Sequence, residues 1–306
     1  MNRLDIPERN ITIEFPSQID ELNEKQFVFF VEQLLSCTAG DITLPEFKIR
    51  MTARFLDLKL GWAWHRMPEQ DKLDAMSELT RLSNLMDGFF TTEIRNNQPV
   101  SVFKLDFIRN FIPKICGKYY GPADALTDIT FCEYRQAHNY FNAYQNSGSD
   151  DDLNHLIAIL YRPKKKFLWL IKRLPWFDGR EKITFSSKSN PLFLEKRTKK
   201  IAKMPLPIRY GIYLFFSGCE QFLATGTPTI DGIPIRLSVL YEKSEGSSSD
   251  PGTGLYGILC TLSESKVFGS LMETDNQGLY DILLRLYQVV MQMKQMNEKT
   301  KNNGAS

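Results

Sequence analysis

From residue 277 to 297, Leu279, Leu283, Leu286, Val290 and Met293 recur at alternating spacings of four and three residues. A second stripe of Tyr280, Leu284, Tyr287 and Met291 runs beside them. Residues so spaced share a face only on an α-helix. Two adjoining stripes bury more than the seam of a two-stranded coiled coil, so the segment reads as a bundle or interface helix. The same period appears at 21–36, where Phe27, Phe30, Val31, Leu34 and Leu35 form one face, and at 150–161 through Leu153, Leu156, Ile157 and Leu160. Residues 206–223 are apolar nearly all round, the pattern of a helix in the middle of a fold. The prediction is a mainly α chain, a multi-helix bundle-like architecture with a small β-hairpin insertion.

Local signals place the remaining elements. Thr43 with Glu46 three residues on, and Pro45 in the first turn, starts a helix that runs to Leu58. Another is expected at 68–87, and 130–145 pairs with 150–161 as a helical hairpin around Asn146-Ser147-Gly148-Ser149. Phe89 to Ile94 and Val100 to Phe103, flanking Arg95-Asn96-Asn97-Gln98-Pro99, read as a β-hairpin. Residues 192–203 form a basic helix, and 243–254 a flexible loop by composition. The expected organisation is an N-terminal helical portion, 1–120, with its hairpin near 88–105, and a C-terminal helical portion, 121–298. A disordered polar tail at 299–306 follows.

Charge is distributed unevenly. Residues 162–203 hold 14 Lys and Arg against 3 Asp and Glu, a local charge of +11. The rest of the chain holds 24 basic and 33 acidic side chains, so it is net acidic. Asymmetry of this kind bears on partners more than on fold. Pro163, Pro175, Gly179 and Pro191 break the segment, which cannot be one long helix. Its cations, Arg162, Lys164, Lys165, Lys166, Lys172, Arg173, Lys196, Arg197, Lys199 and Lys200, interleave with aromatics such as Trp169. Three readings stay open. The segment docks on acidic parts of a partner or of this chain, it binds nucleic acid by phosphate neutralisation and base stacking, or it lies on an anionic membrane surface.

Catalytic signatures are sparse. His65, His138 and His155 have no partner at metal-ligand spacing and read as structural histidines. Cys37, Cys116, Cys132, Cys219 and Cys260 are odd in number and irregularly spaced, which suggests buried reduced thiols in a cytosolic setting. There is no GxSxG elbow and no Walker A sequence. Gly252-Thr253-Gly254-Leu255-Tyr256-Gly257 matches GxGxxG, but no βαβ alternation surrounds it, so it reads as a chance match. The residues point to no catalytic group, metal or cofactor. The N-terminus lacks a signal-peptide core, and no apolar run approaches the roughly 20 residues of a membrane span.

Three segments carry a resemblance. Tyr120-Gly121-Pro122-Ala123-Asp124-Ala125-Leu126 leads into Ile129-Thr130-Phe131-Cys132-Glu133. Leu156-Ile157-Ala158-Ile159-Leu160-Tyr161-Arg162-Pro163 is the second, and Met204-Pro205-Leu206-Pro207-Ile208-Arg209-Tyr210-Gly211, ending in Phe215-Phe216, the third. In order and approximate spacing over residues 90–295 they resemble a loose family of uncharacterised proteins encoded among the tail genes of bacteriophages and prophages of the Bacteroidetes group. The resemblance implies a mainly helical protein of tail assembly or structure, or an assembly chaperone beside the tape-measure protein. It implies a place in the host cytoplasm or the virion, and supplies no catalytic residues.

The expectation is therefore a non-enzymatic assembly or structural protein acting through protein–protein contacts. Its partners would be phage tail or tape-measure-type proteins, with self-association also open. Contacts would run through the basic segment and through Leu279, Leu283, Leu286, Val290 and Met293 of the last helix. Nucleic acid binding by residues 162–203 is the alternative, and a membrane partner is not expected.

Overall fold

The computed structural model describes residues 1–6, 11–58, 66–175, 177, 179–185, 191–230, 232–240 and 254–303. Among the described residues eleven α-helices stand against nine strands of two to six residues, so the chain is mainly α. It divides into two compact units, 1–107 with 205–211, and 108–204 with 212–306. The division falls at 107/108, where the sequence suggested 120/121.

The first unit begins with an antiparallel hairpin that the sequence did not suggest, β1 (Asn2–Ile6) with β2 (Ile11–Phe15). Helix α1 (Glu24–Ala39) follows, with Asn23 and Gln26 forming a reciprocal capping box. Thr43 accepts the Glu46 amide at the start of α2 (Leu44–Phe55). Helix α3 (Glu69–Ser83) passes through a 3₁₀ turn into β3 (Phe90–Arg95) and β4 (Gln98–Phe103). Between those strands Asn96 and Asn97 take φ of 51° and 60°, the two positive angles of a type I′ turn, which asparagine tolerates. Phenylalanines hold the unit together. Phe30 is fully buried, with ring centroids of Phe27, Phe47, Phe89 and Phe103 within 6.3 Å of its own. Phe47 in turn meets Phe103 edge-on at 4.9 Å.

The second unit is built round a helical hairpin. Helix α4 (Phe131–Ser147) has a capping box between Thr130 and Glu133 and ends at Gly148, φ 66°. Helix α5 (Asp150–Leu160) packs against α4 and carries three aspartates in its first turn, at the positive end of its dipole. Residues 156–161 are all buried, more than the single stripe expected from the sequence, because α5 also packs against α7 (Pro191–Ile201). Between them in the chain lie one turn of helix, α6 (Leu168–Ile171), and the last strand of a small sheet. That sheet runs β5 (Lys114–Ile115), β6 (Tyr119–Tyr120), β7 (Arg162–Pro163). Strands this short leave no periodic trace in sequence.

Helix α8 (Leu206–Thr225) is buried nearly all round between Gly211 and Cys219, and is divided between the two units at 211/212. A short hairpin, β8 (Thr229–Ile230) with β9 (Ile233–Pro234), follows it. Helices α9 (Gly254–Glu264), α10 (Leu271–Asp275) and α11 (Leu279–Asn303) complete the unit. The polar tail expected from 299 begins as a continuation of α11 to Asn303. Backbone bonds join the starts of α4 and α11: Phe131 N–H to the Gln277 carbonyl at 2.9 Å, and Leu279 N–H to the Ile129 carbonyl at 3.0 Å. The predicted loop at 243–254 lies outside the described residues apart from Gly254.

Candidate functional site

The basic segment folds back on itself. Past β7, Lys165 N–H donates to the Glu181 carbonyl at 2.8 Å and Ile183 N–H to the Pro163 carbonyl at 3.0 Å. With the Lys164–Lys182 bridge, residues 181–183 extend the small sheet by one more line of pairing. Residues 163–183 are thus a long hairpin-like loop whose stem is closed by main-chain bonds.

Most cations at the stem are paired inside the unit. Arg162, 3% exposed, forms a buried ion pair with Glu133 and also donates to the Ile183 carbonyl at 2.9 Å. Glu133 is 1% exposed and fully engaged. Its other acceptor sites take Phe185 N–H at 2.7 Å and Thr130 N–H at 2.9 Å. Buried Lys182 reaches Asp128 and the Gly121 carbonyl, each at 2.7 Å. Lys164 and Lys172 share Glu181, and these hydrogen bonds hold its carboxyl down at about 2. Burial pushes the Arg162 guanidinium and the Lys182 ammonium below their usual pKa values despite their partners. Arg197 donates to the Ala158 and Tyr161 carbonyls and stands over the Tyr119 ring at 5.6 Å. A cavity of 610 Å³ opens among these groups, lined by Tyr120, Glu133, Arg162, Lys164, Arg180 and Lys182 with neighbouring residues.

Arg162, Lys164 and Arg197 therefore leave the set of cations expected to face a partner unaided. Their excess charge meets carboxylates and carbonyls of the same unit, one of the outcomes the sequence left open. Sequence reasoning missed Asp128, Glu133 and Glu181 because charge counting gives no partner, and Asp128 lies 54 residues from Lys182.

The far end of the loop is different. Phe167 is 69% exposed, Trp169 66% and Leu170 47%, flanked by exposed Lys166, Lys172 and Arg173. Phe167 has a left-handed backbone, φ 55° and ψ 36°, and its carbonyl accepts the Leu170 and Ile171 amides that form α6. A bulky residue in that region is strained and persists only where its surroundings hold it. Lys165 sits over the Phe177 ring at 5.6 Å. On α7, Lys196, Lys199 and Lys200 are exposed beside Leu192 and Phe193, at 59% and 67%. Lys118 lies close enough to Lys200 to lower the pKa of its ammonium.

On α11 burial fades along the helix. Leu279 and Leu283, at 1% and 7% exposed, join Ile282 in the core of the unit and are not available to a partner. Leu286 and Val290 are half-buried, and Met293 is 59% exposed. The sequence stripe named the right face only in outline, because Ile282 belongs to neither predicted stripe yet is fully buried.

The remaining candidates have structural partners. His138 bonds Glu220 and Asn142, and His155 bonds the Asp151 carbonyl and stacks on Tyr140 at 4.9 Å. His65 lies outside the described residues, as do Gly252 and Thr253 of the GxGxxG match. All five cysteines are free thiols, but only Cys132 and Cys219 are buried as expected: Cys37 and Cys260 are half-buried, and Cys116, in the β5–β6 turn, is exposed. Among the described residues no group of three or more His, Cys, Asp and Glu is placed to hold a metal ion, and no helix is long and apolar enough to cross a membrane. The chain matches no protein-family model, no curated protein and no solved structure.

Proposed function

We propose that this chain is a non-enzymatic assembly or structural protein whose main docking surface is the loop tip, residues 166–173. The observation that carries the reading is the simultaneous exposure of Phe167, Trp169 and Leu170 on a turn stemmed by backbone bonds. Tryptophan and arginine, both exposed on this tip, are among the residue types that dominate interface energetics. The partner that fits is a protein surface with an apolar pocket rimmed by carboxylates, since Lys166, Lys172 and Arg173 surround the apolar tip. The tail-gene resemblance makes a tail or tape-measure-type protein the first partner to test. The distal part of α11, with Met293 and Met296 both more than half exposed, offers a second contact or a self-association surface.

The test is affinity capture, with nuclease added, from cells expressing the neighbouring tail genes, using the full chain and a Phe167→Ala/Trp169→Ala double variant. A tail or tape-measure protein retained by the full chain and lost with the variant is the expected result. The tip carries little core, so the variant should stay within about 0.5 kcal/mol of the parent in stability. Retention unchanged in the variant removes the tip from the interface. Capture abolished by nuclease moves the reading to nucleic acid, with Lys196, Lys199 and Lys200 as the exposed cations of that alternative.

A further inference from the structure

Helix α7 has an inner and an outer face of different chemistry. Thr198 and Ile201 are buried, and Arg197 turns inward to the Ala158 and Tyr161 carbonyls. On the outer side Phe193, Lys196, Lys199, Lys200 and Lys203 recur at helical spacing, and all are exposed. Lys203 N–H donates to the Lys200 carbonyl at 3.3 Å, which carries the stripe past the end of the helix. The β5–β6 turn adds Lys118. Cys116 and Gly117 take φ of 48° and 69° there, and Cys116 Sγ meets Met204 Sδ at 3.6 Å, so the turn seats Lys118 beside Lys200. Among the described residues none of these five lysines forms an ion pair, whereas carboxylates answer the cations of the stem. Glu195 is the one acidic residue of α7.

We infer that this face binds single-stranded nucleic acid, with the five lysines along the phosphates and the Phe193 ring as a platform for a base. The residue types select this partner over an acidic protein. Protein interfaces favour arginine and are depleted in lysine, yet this face has five lysines and its single arginine points inward. Lysine is a point charge that neutralises phosphate without asking for a bidentate geometry, which suits a flexible backbone. Phe193, 67% exposed at the head of the cationic line, completes the pairing of groove charge and stacking ring by which single strands are held. The electrostatics agree: Lys118 and Lys200 repel each other, and a phosphate between them removes that repulsion. The loop tip is no part of this face, so the inference does not rest on docking through it.

Fluorescence anisotropy of a labelled oligothymidylate, titrated with the full chain at a series of salt concentrations, tests this. Saturable binding that weakens with salt is expected, with a logarithmic slope of about 0.7 for each phosphate neutralised. Lys199→Ala/Lys200→Ala should weaken binding and make that slope shallower by about 1.4, the share of two phosphates. Phe193→Ala should weaken binding about fivefold or more and leave the slope unchanged, since it removes stacking and no charge. The Phe167→Ala/Trp169→Ala variant should bind as the parent does. No saturation at low salt overturns the inference, as does parental affinity in either α7 variant. Binding lost in the tip variant places the nucleic acid on the loop instead. Polyglutamate that competes as well as unlabelled oligothymidylate assigns the face to an acidic protein, and overturns it too.

Discussion

Both units bury apolar side chains, but among the described residues only the second also buries ion pairs. The first fills its interior with phenylalanine rings, Phe30 at the centre and Phe27, Phe47, Phe89 and Phe103 around it. The second places two ion pairs inside, Glu133 with Arg162 and Arg135 with Asp275, all four residues under 9% exposed. Burying the rings stabilises mainly through the hydrophobic effect, which is non-directional and follows area, with a smaller gain from edge-on contacts. A buried ion pair contributes little net stability, because desolvation offsets attraction, but it penalises any arrangement that separates the partners. Glu133 fixes the start of α4, β7 and Phe185 at one point. The lesson is that burial holds both units, while in the second the buried ion pairs additionally fix the positions of the elements that carry them.

Single substitutions should separate the two. Arg162→Met leaves the Glu133 carboxylate buried without a counter-charge and should cost about 3–5 kcal/mol, read by urea unfolding with hydrogen exchange at α4. Adding Glu133→Gln, which removes the charge and keeps an acceptor for one of the two amides, should recover part of that loss. If it recovers none, the pair is not held by charge compensation. Phe30→Ala should lose a comparable amount, about 3–5 kcal/mol, through a cavity, yet Phe30→Leu should lose under about 1.5 kcal/mol. A steep penalty for leucine would mean that ring geometry, not volume, holds the first unit.

The smallest effect separates the units by pH. Pairing with Lys164 and Lys172 depresses the Glu181 carboxyl from 4.5 to about 2. A depressed carboxylate contributes stability that is complete above its unfolded value and lost as pH falls through the folded one. Between about pH 4.5 and 2 the Lys165 amide, bonded to the Glu181 carbonyl, should therefore lose protection after correction for intrinsic exchange. Glu181→Gln should remove that dependence, and the β3–β4 hairpin should not share it. Protection at Lys165 that ignores pH in this window would detach the stem from its side-chain pairs.

What could be read in the sequence is what is local. The stripe of α1, the Thr43 start of α2, the Asn-Asn turn of β3–β4 and the Gly148 break after α4 each rest on neighbours within a few residues. The charge of the basic segment was also legible, but its disposition was not. Glu133 lies 29 residues from Arg162 and Asp275 lies 140 from Arg135, distances at which no periodicity connects partners. The two-residue strands and the positive φ of Phe167 were hidden for a related reason: tertiary pairing imposes them, and local preference opposes the latter. The tip stood out only as an aromatic among cations, and its exposure became visible once the stem consumed the rest.

The closed stem has a consequence for engineering. Lys165 and Glu181 are joined across the stem, so the chain between them starts and ends at almost one place. Such a segment resembles the variable loop of a binding scaffold: its length and contents are free so long as its two ends meet. Replacing 167–178 by a short Asn-Gly link should leave the sheet register intact. A loop closed at its stem in this way can change its contents without rebuilding the core that displays it.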